Sequence, residues 1–250
     1  MILLIIVQIL IESLPLSSSG HSMLVYSIFR RFGRELMMPS RGLLYVAHMP
    51  TVSIAGMFFW RRWMLLLRRF SLCKKYIVRL IGYGLLAEII TVVIYVLGSM
   101  MVRIPLWLGF AITAAGFMSL SQVPYRLSRM RLVVLYSVLG FAQGCAVLPG
   151  ISRLGITYIA GRWCGLSPKN SFTYAWTLAI PLYIGACCVG IILEPGAIVK
   201  LLCNGYMIGM VIIGAMALFW LAYYMMTSHR EILFAYYLII VAILAAWLKA

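Results

Sequence analysis

The 250-residue sequence contains no aspartate and only five glutamates, Glu12, Glu35, Glu88, Glu194 and Glu231, beside three histidines, His21, His48 and His229. Any carboxylate or imidazole chemistry has to draw on that short set. Charge of either sign is scarce: charged residues make up 10% of the chain and hydrophobic residues 64%, far from the balance of a soluble globular domain. The cysteines, Cys73, Cys145, Cys164, Cys187, Cys188 and Cys203, form no CxxC pair. Most lie in or beside apolar stretches, where cysteine serves as a small hydrophobe, so neither a zinc site nor a disulfide framework is indicated. No Pro/Gly/Ser-rich linker and no low-complexity tract divides the chain, which predicts a single integral membrane domain over residues 1–250.

What fills the sequence is hydrocarbon. Apolar stretches near 43–60, 77–102, 104–120, 132–148, 171–193, 201–225 and 232–248 approach the ~20 residues that a membrane-crossing helix needs. The expected fold is an all-α polytopic membrane protein with roughly five to eight embedded segments. The net charge of +16 does not point to nucleic acid, because the basic residues gather between apolar runs, as in RRWMLLLRRFSLCKKYIVR from Arg61 to Arg79. That is a membrane-surface pattern, and no aromatic-basic groove or recognition-helix signature accompanies it. If 61–79 is cytoplasmic, YRLSRMR with Arg126, Arg129 and Arg131 falls on the same side two crossings later, and the segments around Ser18 and Pro149 fall on the outer face. The net basic segment 30–41 runs against this count. The N-terminal run has no basic residues ahead of its apolar core and is interrupted by Gln8 and Glu12, so a cleaved signal peptide is not expected.

Two polar interruptions stand out. In the first, MILLIIVQILIESLPLSSSGH, Gln8 and Glu12 are four apart and share a helix face, where Glu12 could ligate a divalent cation and Gln8 supply a neutral oxygen. An ionisable group in an apolar segment is costly and therefore a functional candidate. Pro15 and the serines end the helix, and a serine then caps the next one. Ser17, Ser18, Ser19, Gly20 and His21 place hydroxyls, an imidazole and free backbone N–H groups together, a combination suited to an anion under attack. In the second, AQGCAVLPGISRLGIT, Arg153 is a lone fixed charge between Gly150 and Gly155, flanked by Ser152 and Thr157. A guanidinium with hydroxyl donors in a glycine-containing turn is phosphate-binding chemistry. The two segments echo each other: each has a proline, then a serine and glycine, an upstream glutamine (Gln8, Gln143), and a proline one segment later (Pro50, Pro181). The chain is therefore read as two pseudo-repeats, about 1–130 and 131–250, with interruptions at corresponding places as in inverted-repeat membrane proteins.

The pair Gln8-x-x-x-Glu12-x-Leu14-Pro15-x-Ser17-Ser18-Ser19-Gly20-His21 and Pro149-Gly150-x-Ser152-Arg153-x-Gly155-x-Thr157 resembles the two signature motifs of the undecaprenyl-diphosphate phosphatase family, also called bacitracin-resistance proteins. Gln143, the stretch 171–186 and the stretch 44–62 extend the resemblance along nearly the whole chain. It implies two re-entrant helix hairpins and a multi-pass enzyme of the bacterial inner membrane with its site facing the periplasm. The reaction implied is removal of the terminal phosphate from a polyprenyl diphosphate lipid, recycling the carrier for cell-wall synthesis with Mg2+ or Ca2+. Glu12, Ser18, His21 and Arg153 then stand at catalytic places, Gln8 and Glu12 at metal places, and Ser17, Ser19, Gly20, Gly150, Ser152 and Thr157 at substrate-binding places. The partners implied are the lipid substrate and the bilayer, with a homodimer left open. Two positions depart from the pattern: Ile11 stands where a threonine is usual and Leu154 where a serine is usual.

Two rival readings share some of these residues. SSSGH and SR faintly echo the phosphatidic-acid-phosphatase type of lipid phosphatase, but that type needs a histidine six residues after the arginine, and position 159 is Ile159. A polyprenyl-phosphate carrier or flippase without hydrolysis would share broken helices and an intramembrane glutamate. It would need Arg153 to hold phosphate but would have no use for Ser18 and His21 as reactive groups.

Overall fold

A computed structural model describes residues 1–34, 36–68, 70–123, 130–202 and 205–249. Glu35, Arg126, Arg129 and Cys203, and the side chain of Cys73, all named above, lie outside the described residues. The described residues form α-helices and no strand: α1 (Ile2–Glu12), α2 (Ser18–Arg31), α3 (Arg41–Val46), α4 (Met49–Arg68), α5 (Phe70–Met101), α6 (Leu106–Ser119), α7 (Leu132–Cys145), α8 (Arg153–Trp163), α9 (Pro168–Leu193), α10 (Ala197–Leu202), α11 (Gly205–Thr227) and α12 (Ile232–Trp247). A bilayer leaves no water for unpaired backbone, so helices that satisfy their own N–H and C=O groups are the natural outcome for this composition.

Four stretches among the described residues are long and apolar enough to cross a membrane: Arg41–Leu65, Lys74–Met101, Pro168–Leu193 and Ile208–Thr227. The stretches near 104–120, 132–148 and 232–248 come out as shorter helices, of 14, 14 and 16 residues. Large apolar side chains point outward, including Met100, Ile192 and Ile213, as they do on a lipid-facing surface. The chain is thus an all-α, multi-pass membrane protein. One expected segment is divided: the apolar run from residue 43 breaks at Ala47 and His48, between α3 and α4. Pro50 lies in the first turn of α4, where its missing N–H costs nothing.

The interior is aromatic on one side and small on the other. Between α4, α9 and α11, Phe172, Trp176 and Phe219 are fully buried, with the Trp176 and Phe219 ring centroids 4.8 Å apart. Between α5 and α7, close approach replaces bulk. Gly140 faces the backbone of Ala87, and the Thr91 hydroxyl lies 2.9 Å from the carbonyl oxygens of both Ala87 and Gly140. Small residues and shared hydroxyls are how helices associate where lipid supplies no hydrophobic drive.

Two helix pairs are short. α1 and α8 have 11 residues each, and α2 and α7 have 14, so each helix is only about 16–21 Å long. The turns joining them, 13–17 and 146–152, border one cavity, and the first abuts the start of α8: a Cβ on Gly155 would stand 3.1 Å from the Pro15 carbonyl oxygen. The second turn is seated on α6. Gly150 has φ +83°, and a Cβ there would meet the Leu106 carbonyl oxygen at 2.5 Å and the Phe110 nitrogen at 2.9 Å. Ser152 N–H donates to Thr113 Oγ1 at 3.3 Å, and a Cβ on Gly109 would strike the Pro149 carbonyl.

Gly150→Val should therefore lower stability by about 2 kcal/mol or more, through left-handed backbone and a steric clash together. Gly33, with φ +69° and open space around its Cβ position, is the contrast: Gly33→Ala should cost about 1 kcal/mol. Thermal unfolding of the purified variants in detergent measures the difference.

Candidate active site

A cavity of about 400 Å3 opens where the two turns meet, lined by residues of both, by α3 and the break after it, and by Tyr95 and Tyr183. α1 delivers Gln8 and Glu12 to it from adjacent turns of one face. Glu12 is the last residue of its helix, the end where the backbone dipole disfavours a carboxylate. Its compensation comes from neighbouring donors. Gln8 Nε2 donates to Glu12 Oε2 at 2.9 Å and lies 3.0 Å from Ser18 Oγ, and the Ser18 hydroxyl itself donates to Glu12 Oε2. The far side of the Gln8 amide accepts from Ser22 Oγ at 3.4 Å. Gln8, Glu12, Ser18 and Ser22 are all buried.

The turn that presents Ser18 is strained. Ser17 has φ +65°, a rare backbone region for a residue with a side chain. Its Oγ caps α2 by accepting from Gly20 N–H at 3.4 Å, and its carbonyl accepts from both His21 N–H at 3.1 Å and the His21 ring Nδ1 at 2.9 Å. Because a carbonyl only accepts, Nδ1 carries the proton and Nε2 is the acceptor of the Tyr237 hydroxyl, 2.9 Å away. His21 also meets Phe110 edge to face. Both ring nitrogens are engaged, and His21 stands behind the cavity wall, not in its lining.

α8 is built in the same way. Ser152 caps it, accepting from Gly155 N–H at 3.1 Å, and Arg153 follows at the first helical position. The N-termini of α2 and α8 therefore both border the cavity, and their partial positive charge adds to that of Arg153. The Arg153 guanidinium carbon sits 5.3 Å from the centre of the Tyr183 ring, and His48 stacks on the same ring at 4.8 Å. His48 Nδ1 is 3.5 Å from Glu12 Oε2.

Of the residues singled out in the sequence, Gln8, Glu12, Ser17, Ser18, Ser19, Ser152 and Arg153 line the cavity together. Gly20, His21, Gly150 and Thr157 do not. Gly20 packs against Phe110, Gly150 holds the turn, and the Thr157 hydroxyl donates to the Arg153 carbonyl at 2.8 Å within its own helix. Leu154, at the departing position, is buried in the cavity wall, and Ile11 packs against the core. The structure adds His48 and Tyr183. Each lies two residues from one of the prolines that mark the two halves, Pro50 and Pro181, which is the signal that pointed to these stretches without picking the residues.

The donor set fits a hard divalent cation. Among the described residues no three His, Cys, Asp or Glu side chains gather around one point, and the cavity offers one carboxylate, the serine hydroxyls and the Gln8 carbonyl oxygen, with the His48 imidazole beside them. The oxygens are ligands of the kind Mg2+ or Ca2+ takes. Gln8 shows its NH2 face to Glu12, so its oxygen would reach a cation there only after the amide turns over.

The sequence model of the bacitracin resistance protein BacA family matches residues 1–244. A Rhodopirellula baltica protein named undecaprenyl-diphosphatase is 33% identical over 205 residues, covering 78% of this chain and 76% of its own. A Pelotomaculum thermopropionicum protein of the same name is 31% identical over 195 residues, covering 72% of this chain and 70% of its own. A third, from Moorella thermoacetica, is 26% identical over 261 aligned positions, covering 99% of this chain and 97% of its own. With the family match spanning almost its full length, the chain belongs to the BacA bacitracin resistance protein family.

Proposed function

We propose that this protein is a membrane phosphatase that hydrolyses undecaprenyl diphosphate to undecaprenyl phosphate and inorganic phosphate. The observation that carries the reading is the Ser18 hydroxyl donating to a buried carboxylate, Glu12, in a cavity that also holds Arg153 and two helix N-termini. A carrier needs only the anion-binding half of that arrangement. The name borne by the relatives agrees with it.

Phosphoryl transfer asks for positioning and charge neutralisation. The diphosphate sits between the two turns, with Arg153 and the N–H groups at the starts of α2 and α8 on its oxygens and the prenyl chain in the bilayer. Ser18 Oγ, or a water in its place, attacks the terminal phosphorus. With Ser18 as nucleophile, the Oγ–P bond forms while the bond from phosphorus to the bridging oxygen breaks, and Glu12 takes the hydroxyl proton and passes it to the departing lipid phosphate. A water then cleaves the phosphoserine, giving its hydroxyl to phosphorus and its proton to Oγ. Glu12 would hold a divalent cation, which would supply charge neutralisation for the phosphoryl transfer. His21, fixed by Tyr237, holds the strained turn that aims Ser18.

We also place the site on the outer face of the inner membrane, with α1–α2 and α7–α8 as hairpins that enter from one side and turn back. α1 and α8 are each about half the length needed to cross the ~30 Å hydrocarbon core, which supports re-entry. α4 runs from beside His48 to Arg68, and α5 from Lys74 and Lys75 back to Tyr95, so both put basic residues about 30 Å from the cavity. Clustered Lys and Arg favour the cytoplasmic side. The two halves are read as inverted repeats meeting at the site.

Purified protein in detergent should release phosphate from undecaprenyl diphosphate only with divalent metal, and EDTA should stop it. Glu12→Ala, Ser18→Ala and Arg153→Ala should each lower the rate by about 100-fold or more while the protein stays folded. Arg153→Lys should recover little, since a point charge cannot reproduce the planar fork. A folded wild type that binds the lipid without releasing phosphate would leave a carrier as the better account.

For orientation, a Ser19→Cys variant of the chain with its native cysteines replaced should react with an impermeant maleimide added to intact cells. Lys75→Cys in the same background should react only after lysis. The reverse pattern would turn the site to the cytoplasm.

A further inference from the structure

We infer that His48 is a positioning residue of this site, which orients the Glu12 carboxylate toward a divalent cation by donating its ring N–H to the oxygen that the cation does not use. The inference rests on the metal-assisted reading above and assigns work to a residue that reading leaves idle.

Three side chains converge on a single oxygen, Glu12 Oε2: Gln8 Nε2, Ser18 Oγ and His48 Nδ1. The first two make hydrogen bonds to it. His48 Nδ1, at 3.5 Å, does not, and it is a buried nitrogen with no hydrogen-bond partner. Leaving a buried polar nitrogen unpaired is unfavourable, so its presence beside a carboxylate calls for a use. The ring has little room to point elsewhere. It is held in the short break between α3 and α4, its side chain is 12% exposed, and it stacks on Tyr183 with only 19° between the ring planes.

The attack on phosphorus supplies the use. Once Glu12 has passed the Ser18 proton to the departing lipid phosphate and Ser18 Oγ is bonded to phosphorus, Oε2 has lost one of its two hydrogen-bond donors, and the adjacent His48 Nδ1 has no hydrogen-bond partner. A carboxylate tied through one oxygen offers the other in a fixed direction. Ligating carboxylates are themselves held by such outer hydrogen bonds, whose loss costs about 10–100-fold in metal affinity. A neutral imidazole with its proton on Nδ1 does this without adding a positive charge to compete with the cation. The Tyr183 ring that aligns His48 also lies under Arg153, so the same aromatic platform sets the cation side and the anion side of the cavity.

The test compares substitutions that separate the donor from the ring. His48→Phe keeps an aromatic ring on Tyr183 and removes the N–H. His48→Asn gives up the ring and puts an N–H near the place of Nδ1. The readout is Mn2+ binding to the purified protein in detergent with a non-hydrolysable polyprenyl bisphosphonate present, followed by electron paramagnetic resonance, with thermal unfolding as the check on folding. His48→Phe should weaken Mn2+ binding by about 10–100-fold and raise the Mn2+ needed for half-maximal phosphate release by a similar factor. His48→Asn should return both to within a few-fold of wild type. Wild-type Mn2+ binding by His48→Phe, or Asn no better than Phe, would reduce His48 to a packing residue. Should His48→Phe not fold, His48→Gln, whose N–H falls nearer the place of Nε2, makes the same comparison against Asn. Mn2+ binding that follows this order in a protein that releases no phosphate would support the His48 assignment and sink the phosphatase, whereas a wild type that binds no Mn2+ overturns the assignment itself.

Discussion

A carboxylate at the negative end of a helix, inside a protein built for a bilayer, is the constraint on which the rest of this structure turns. Glu12 is disfavoured twice, by its burial and by the dipole of α1. Its neighbours answer both penalties with donors. Gln8 and Ser18 hold its Oε2, and the N-termini of α2 and α8 border the same cavity from two directions. Those groups come from separate parts of the chain, so the fold must bring two turns together and hold them against each other.

Holding turns inside a membrane protein raises a second problem, because turns leave backbone groups unpaired. Protein, not lipid, has to cover them. α6 serves this end for the second turn, with Gly109 letting the Pro149 carbonyl approach and Thr113 accepting from Ser152 N–H. The first turn is kept by His21, which donates twice to the Ser17 carbonyl, and by Tyr237 of α12, which keeps the His21 ring in place. The residues that look reactive in the sequence thus divide into those that face the cavity and those that brace it.

That division marks what was legible beforehand. The motif residues were visible because polar groups in apolar surroundings stand out, and because serine caps and glycine turns follow local rules. His48 and Tyr183 were not, since an aromatic or a lone histidine in an apolar run looks like core until something is shown to face it. The roles of Thr157 and Gly150 also needed coordinates: the Thr157 hydroxyl turns to its own helix, and the strain at Gly150 depends on α6 lying across the turn. Helix lengths were the least legible feature. Hydropathy marks apolar composition, but whether such a stretch crosses or turns back depends on caps and packing partners elsewhere in the chain.

The hydrogen bond between His21 and Tyr237 joins positions 216 residues apart. It makes the site a product of late assembly. During synthesis α1 and α2 emerge well before α12, with a strained turn and a buried carboxylate, yet α12 is the helix that secures them. Contacts of such sequence separation form slowly, because a long loop must close before they return any stability. Until α12 docks, His21 Nε2 has no settled partner and the turn it braces is not yet secured, and a young chain in the membrane is a membrane protein before it can be an enzyme.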